Sequence, residues 1–387
     1  MINRSLLFLS IVLLAGCGMM SSITDVFKKD TTAEDPAKLL DFESKLEIIK
    51  EWSRGTGSGT DEQYLKLAPA ISDERIYVVD SDGDIQALST ATGKKIWARD
   101  VDLDLSAGAG YAEGRVVVGS RDGSIVALDA ATGKEQWRSS VSSEILSPPQ
   151  IDSGIVIIRT IDGKIFGLGA ETGQRLWIYD RSVPTLTLRG TSTPVIYNGV
   201  VIAGTGGGRL AALELLTGKL LWEARITTAR GSSELERLVD IDSEPLIIDD
   251  VIYVTTFQGN IAAVYFDTGR ILWTREISSY AGLGADERNL YITDDKSHIW
   301  AFDRYTGATL WQQEFLNARQ LTAPAVIGGY LVAGDLEGYL HWISRETGEM
   351  VARNRLSSDR IIVAPQVVGD KVYAIDIDGK LAVYHYR

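Results

Sequence analysis

From Ala68 onward, apolar and polar positions alternate in short runs, and the runs are broken by Asp-Gly, Thr-Gly and related pairs. Alternation at a period of two predicts half-buried strands. Asp-Gly between two such runs signals a hairpin, because both turn residues take φ > 0 at little cost. Laid against itself, the chain repeats. SDGDIQALSTATGKKIWARD (81–100), RDGSIVALDAATGKEQWRSS (121–140) and IDGKIFGLGAETGQRLWIYD (161–180) match at a period of 40. Four weaker copies follow, and an eighth begins at Asp378-Gly379-Lys380-Leu381 and reaches Arg387 before its Thr-Gly and Trp.

Each copy reads as four strands. One hairpin, as in APAISDERIYVVD, precedes the Asp-Gly turn; a strand of the type Ile-x-Ala-Leu follows it, and Thr-Gly leads into a strand carrying Trp97, Trp137, Trp177, Trp222, Trp273 or Trp311. Burying one Trp removes roughly 150–250 Å² from water. Four strands per copy of about 40 residues predicts a propeller blade rather than a helical solenoid. The expected fold is all-β: an eight-bladed propeller of four-stranded antiparallel blades over residues 42–387. The run Leu46–Trp52 has the look of an outermost strand ending in the repeat's Trp. It is expected to join the C-terminal blade and close the ring, leaving no radial gap. The seventh copy departs from the pattern, with Ala352 where Trp is expected.

Deviations in spacing single out one face. From each Trp to the next Asp-Gly glycine position the count is 26 for Trp97 to Gly123 and for Trp137 to Gly163, 24 for Trp273 to Ser297 and 27 for Trp311 to Gly338. It rises to 31 for Trp177 to Gly208 and 37 for Trp222 to Gly259. Blade-to-blade loops share a face with the Asp-Gly turns, so two consecutive extended junctions sit side by side, opposite the Thr-Gly turns. The first holds PTLTLRG, with Leu186, Leu188 and Arg189; the second is ITTARGSSELERLVDIDSEP, with Arg230, Glu236, Arg237, Asp240 and Asp242. Insertions on a rigid scaffold are where binding function usually sits, and leucines ringed by charge suit an apolar centre with a polar rim. The alternative is that Leu186 and Leu188 tuck down onto the blade tops. The stretch from Trp52 to Gly83 is also 31 residues, but its extra RGTGSGTDEQ reads as spacer.

Composition narrows the chemistry. Apolar content of 45% and charged content of 24% are those of a folded domain. A net charge of −13 argues against nucleic-acid binding, which wants a basic face. Three histidines fall in different blades at non-equivalent positions, so a shared metal site is not expected. GTGGG at 204–208 lacks the Lys-Ser/Thr of a phosphate loop and precedes a strand, so it reads as a variant of the Asp-Gly turn. The carboxylate pairs Asp294-Asp295 and Asp249-Asp250 fall at predicted turns and are expected to be solvated.

The N-terminus carries its own signal. Arg4 is followed by an apolar run from Leu6 to Leu14, too short to span a bilayer and ending in Leu14-Ala15-Gly16-Cys17. This resembles the bacterial lipobox. The resemblance implies a signal peptide over 1–16, lipidation at Cys17 and, with Gly18 rather than Asp after it, anchoring on the periplasmic face of the outer membrane. Cys17 is the chain's sole cysteine, so no disulfide forms within it. Polar residues 17–41 read as the lipidated Cys and a flexible tether.

The repeat DG-x-[IL]-x-A-L-x-x-x-TG-x-x-x-W resembles the pyrroloquinoline-quinone (PQQ) type propeller repeat. Dehydrogenases of that family generally set a vicinal Cys-Cys disulfide against the cofactor, which a chain with one cysteine cannot form. An enzyme is therefore not expected, nor any cofactor or metal. A lipoprotein made of eight such blades is similar to the BamB family of the β-barrel assembly machinery, and L-x-L-R-G at 186–190 and R-L-x-D-x-D at 237–242 resemble that family's own loops. The resemblance implies a scaffold that binds the periplasmic POTRA domains of BamA and helps insert outer-membrane β-barrels. It puts Leu186, Leu188, Arg189, Asp240 and Asp242 at the contact. A receptor for unfolded outer-membrane proteins, acting through the central channel or an exposed strand edge, is the second reading.

Overall fold

The computed structural model describes residues 34–181, 192–227, 240–241 and 243–387, and the propeller forms a compact unit that starts at Pro36. Its strands pair into eight four-stranded antiparallel sheets. β1 is Ile48–Gly55; β2–β5 form blade one (70–100), β6–β9 blade two (110–140), β10–β13 blade three (150–179) and β14–β17 blade four (195–225). β18–β21 form blade five (246–276), β22–β25 blade six (283–313) and β26–β29 blade seven (325–355). Blade eight takes β30–β32 (366–386) from the C-terminal end and β1 as its outermost strand, in the order β1-β32-β31-β30. Eight blades and closure by the N-terminal strand are as expected. The first strands of neighbouring blades face one another around the axis, and the second and third strands of each blade are almost wholly buried.

The tryptophans tie blade to blade. Trp137, on the outermost strand of blade two, donates its indole N–H to the carbonyl of Ala170 in blade three at 2.8 Å, and its ring lies under the Thr-Gly turn of that blade. Gly173 in the turn has φ +67°, and a Cβ there would sit inside van der Waals contact with the indole. Glycine is thus required twice over, by the backbone and by the ring. The same latch recurs from Trp52 to Thr90, Trp97 to Ala130, Trp177 to Leu215, Trp222 to Phe266, Trp273 to Arg304 and Trp311 to Arg345, at 2.8–3.0 Å. Across the sheet each indole is opposed by a smaller residue: Ala87, Ala127, Gly167, Ala212, Ala263, Ala301 or, facing Trp52, Val383. Trp137 and Trp177 are buried, and the other five are partly so.

Ala352 now has a reason. The latch from blade seven would need a Thr-Gly turn in blade eight, but there the third and fourth strands, β32 and β1, come from opposite ends of the chain and no turn joins them. The large and small residues have exchanged strands: Trp342 on the third strand of blade seven opposes Ala352 on the fourth. Trp342 is fully buried, packs edge-on against Tyr386 and donates to Asn354 Oδ1 at 2.7 Å, while Leu46 and Ile48 cover the same cluster.

RGTGSGTDEQ is a clasp, not a spacer. Thr56 N–H donates to Gly379 O and Thr60 N–H to Ile377 O in blade eight, while Ser81 N–H of blade one donates to Gly59 O. Ser58 N–H reaches Asp80 Oδ2 at 3.2 Å. A Cβ on Gly57 would strike that carboxylate, and one on Gly59 would strike the Ile377 carbonyl. The glycines are there because backbone must pass through a seam too narrow for side chains.

The outermost strand of every blade carries a register shift just before its Trp or, in blade seven, before Ala352. Bulges at this position interrupt the row of free backbone groups that another strand would pair with.

Two outcomes test this architecture. Deleting residues 42–55 removes the closing strand and is expected to abolish the cooperative melt seen by circular dichroism; an unchanged melt contradicts closure. Gly173→Ala is expected to cost about 2 kcal/mol or more in denaturant unfolding, from left-handed strain plus overpacking. In a Trp137→Ala background the same substitution should cost only about 1 kcal/mol, since the steric partner is gone. Equal costs in the two backgrounds would show that the indole does not select the glycine.

Candidate docking site

The two extended junctions leave from β13 (Arg175–Tyr179) and β17 (Leu220–Arg225), and polar residues bond their roots together. Arg181, two residues past β13, pairs with Glu223 on β17, which also holds Arg209 at 2.8 Å. Where the first junction returns, Ser192 is fully buried; its Oγ donates to Ser243 O at 2.9 Å and its carbonyl accepts from Arg159 Nη1. Ser243, where the second junction returns, shares a hydrogen bond with Thr255 Oγ1 at 2.7 Å. The return of one junction is therefore bonded to the return of the other, which fixes their spacing.

Of the residues expected at the contact, Asp240 is described. It is only 6% exposed; its Oδ1 accepts from Gly207 N–H at 3.0 Å and its carbonyl from Phe257 N–H at 3.1 Å. Ile241 beside it is buried against Gly204, where a Cβ would collide with it. Asp240 thus secures the GTGGG turn to the second junction, and GTGGG is the strand-connecting turn that its sequence suggests. Leu186, Leu188, Arg189 and Asp242 lie outside the described residues, as do Arg230, Glu236, Arg237 and Cys17. No periodicity in the sequence marks the Ser192–Ser243 tie, because it joins two irregular segments.

The axial channel opens among these roots. It holds a cavity of about 290 Å³ lined by Lys66, Leu146, Pro148, Glu244, Pro245 and Gln366, among others. The surrounding channel wall desolvates the Glu244 carboxyl and pushes it above the ordinary carboxylate range, although the residue itself is exposed. Among the described residues, the lining of this cavity has no aromatic side chain to stack on a quinone, and the one cysteine of the sequence is Cys17. The residues present do not fit PQQ.

The remaining polar candidates serve the fold. Asp294 is not solvated as expected: it is buried and accepts from the backbone N–H groups of Lys296 and His298 and from Trp300 Nε1 at 2.8–2.9 Å. It caps the turn of blade six as Asp80, Asp335 and Asp376 cap theirs. Asp249 and Asp250 do form an exposed turn, and Asp249 pairs with the buried Arg304. His298, His341 and His385 are not brought together: they contact Asp294, Asp335 and Glu51 respectively. Burial holds the His341 imidazole below its ordinary pKa despite the adjacent Asp335.

Comparison with known proteins agrees with this geometry. A family model described as outer membrane protein assembly factor BamB matches residues 50–104, 81–313 and 305–386. The chain is 48% identical over 352 residues to the outer membrane protein assembly factor BamB of Alkalilimnicola ehrlichii, covering 91% of this chain and 88% of the relative. It is 34% identical to that of Escherichia coli K12, with 89% of each covered. The crystal structure of BamB from Moraxella catarrhalis superposes with a TM-score of 0.80 at 28% identity, covering 87% of this chain and 99% of that one. A quinohemoprotein alcohol dehydrogenase of Comamonas testosteroni shares the fold alone, with a TM-score of 0.67 at 17% identity over 88% of this chain and 76% of that one. A closed ring of eight blades, two extended junctions tied at their bases and relatives of one name along nearly its whole length place this chain in the BamB family of outer membrane protein assembly factors.

Proposed function

We propose that this chain is a non-enzymatic scaffold of the outer-membrane β-barrel assembly complex. In this reading it is lipid-anchored through Cys17 on the periplasmic face of the outer membrane and docks on the POTRA domains of BamA through its two extended junctions. Leu186 and Leu188 supply the apolar centre of the contact, and Arg189 and Asp242 its charged rim. Its part in assembly is to hold BamA in place while β-barrel proteins fold and insert.

The observation that carries this reading is the Ser192–Ser243 tie. It joins Ser192 and Ser243, the bases at which the two junctions return, and a fixed spacing between the bases of binding loops lowers the ordering cost of binding. Asp240 contributes from below, as the fastener of the second junction. The rival reading, capture of unfolded barrel strands at a blade edge, is opposed by the bulge in each outermost strand, which breaks the pairing register that strand addition needs.

Substituting Leu186→Ala, Leu188→Ala and Arg189→Glu together is expected to abolish co-purification of BamA with the full-length lipoprotein, with Tm unchanged. Retained co-purification would place the interface elsewhere. Asp240→Lys should behave differently, lowering stability by roughly 2 kcal/mol because it removes a buried acceptor and leaves a charge in its place. A soluble Asp240→Lys protein with wild-type stability would contradict its fastening role.

A further inference from the structure

Residues 36–41, expected to belong to the flexible tether, are bound to the propeller. Ala37 N–H donates to Asn317 O at 2.9 Å, and Arg319 Nη1 donates to Ala37 O at 2.9 Å, so one residue is clamped from both sides. Arg353 Nη1 then donates to Leu40 O at 3.1 Å, and its guanidinium lies 5.5 Å from the centre of the Phe42 ring, in cation–π range. Lys45 N–H donates to Val351 O at 2.7 Å, and Lys45 Nζ pairs with Glu349 at 3.0 Å. The contacts run 317–319, 353, 351, 349 as the N-terminal segment advances from 37 to 45. The segment therefore crosses blade seven antiparallel to β29 (Met350–Arg355).

Its two ends lie on opposite faces of the ring. Asn317 and Arg319 belong to the loop after β25 (Thr309–Gln313), which is bonded between two Asp-Gly-type turns: Ala318 N–H donates to Lys296 O, and Leu336 N–H donates to Arg319 O. That is the face of the extended junctions. Glu349 closes the Thr-Gly turn of blade seven, on the other face. The clamp at the first end is braced from within. Arg319 is 3% exposed and pairs with Asp335 at 2.7 Å and with Glu337; Asp335 also holds His341 at 2.8 Å, and His298 Nε2 lies 3.1 Å from Asn317 Oδ1. Two of the three histidines thus stand behind the clamp.

We infer that residues 36–45 are a strap that carries the N-terminal tether across blade seven, so that it leaves the propeller on the face bearing the two extended junctions. Without the strap the tether would leave near Leu46, on the Thr-Gly face. The meaning of this for the membrane rests on the reading of Cys17 as a lipid anchor. The stretch 18–35 separates Cys17 from the strap, and a chain of that length spans at most ~65 Å, at about 3.6 Å per residue. The tether then enters the propeller on the face of the docking junctions.

Two readouts on the full-length lipoprotein test this. In detergent, trypsin is expected to cleave after Lys38 at least tenfold more slowly in the wild type than in an Arg353→Ala, Ala37→Pro variant of unchanged Tm. Equal rates would overturn the strap. In proteoliposomes with an acceptor lipid, a donor dye at Ser358→Cys on the junction face should transfer more energy than one at Glu346→Cys on the Thr-Gly face, and the strap variant should lose that difference. Equal or reversed transfer in the wild type would overturn the exit of the tether on the junction face. Neither readout involves BamA, so the strap and the docking reading can fail separately.

Discussion

One indole hydrogen bond, repeated around the ring, sets most of what this chain can vary. Each latch needs a Trp on one blade, a small residue opposite it, a carbonyl on the next blade and a glycine turn above the ring. These four requirements fall at fixed offsets, which is why the repeat is so regular where it matters for closure. A single hydrogen bond of this kind contributes only about 1 kcal/mol net. Coupled with the area each indole buries and multiplied around the ring, it makes the scaffold rigid enough to tolerate long insertions at blade junctions, where loop length costs little.

The point where the chain's two ends meet shows the same logic by exception. No turn exists in blade eight to receive a Trp from blade seven, so position 352 is Ala and the bulk moves to Trp342. The seam is sealed instead by β1, by the Gly-Thr-Gly-Ser-Gly clasp and by the strap. Each of these comes from the N-terminal side, so the residues that close the ring also determine where the tether leaves it.

Much of the fold could be read from sequence because a blade is local: hairpin turns, alternation and Trp spacing lie within about 40 residues. What escaped was long-range. The clasp looked like spacer because Gly and Ser have the same composition whether they fill a narrow seam or a solvated linker. Asp294 looked solvated because a turn carboxylate that caps backbone N–H groups is indistinguishable in sequence from one facing water. The strap was invisible because Asn317, Arg319 and Arg353 carry no pattern that points to a partner some 280 to 313 residues away. Of the docking site, the length of both junctions was legible, but the bond from Ser192 to Ser243 that spaces them was not.

The central claim, that the paired junctions are the docking surface, is tested most directly by photocrosslinking in intact cells. A photoreactive residue at position 188 should crosslink to BamA, and one at position 134, in a Thr-Gly turn on the opposite face, should not. BamA crosslinks from position 134 with none from 188 would contradict the account.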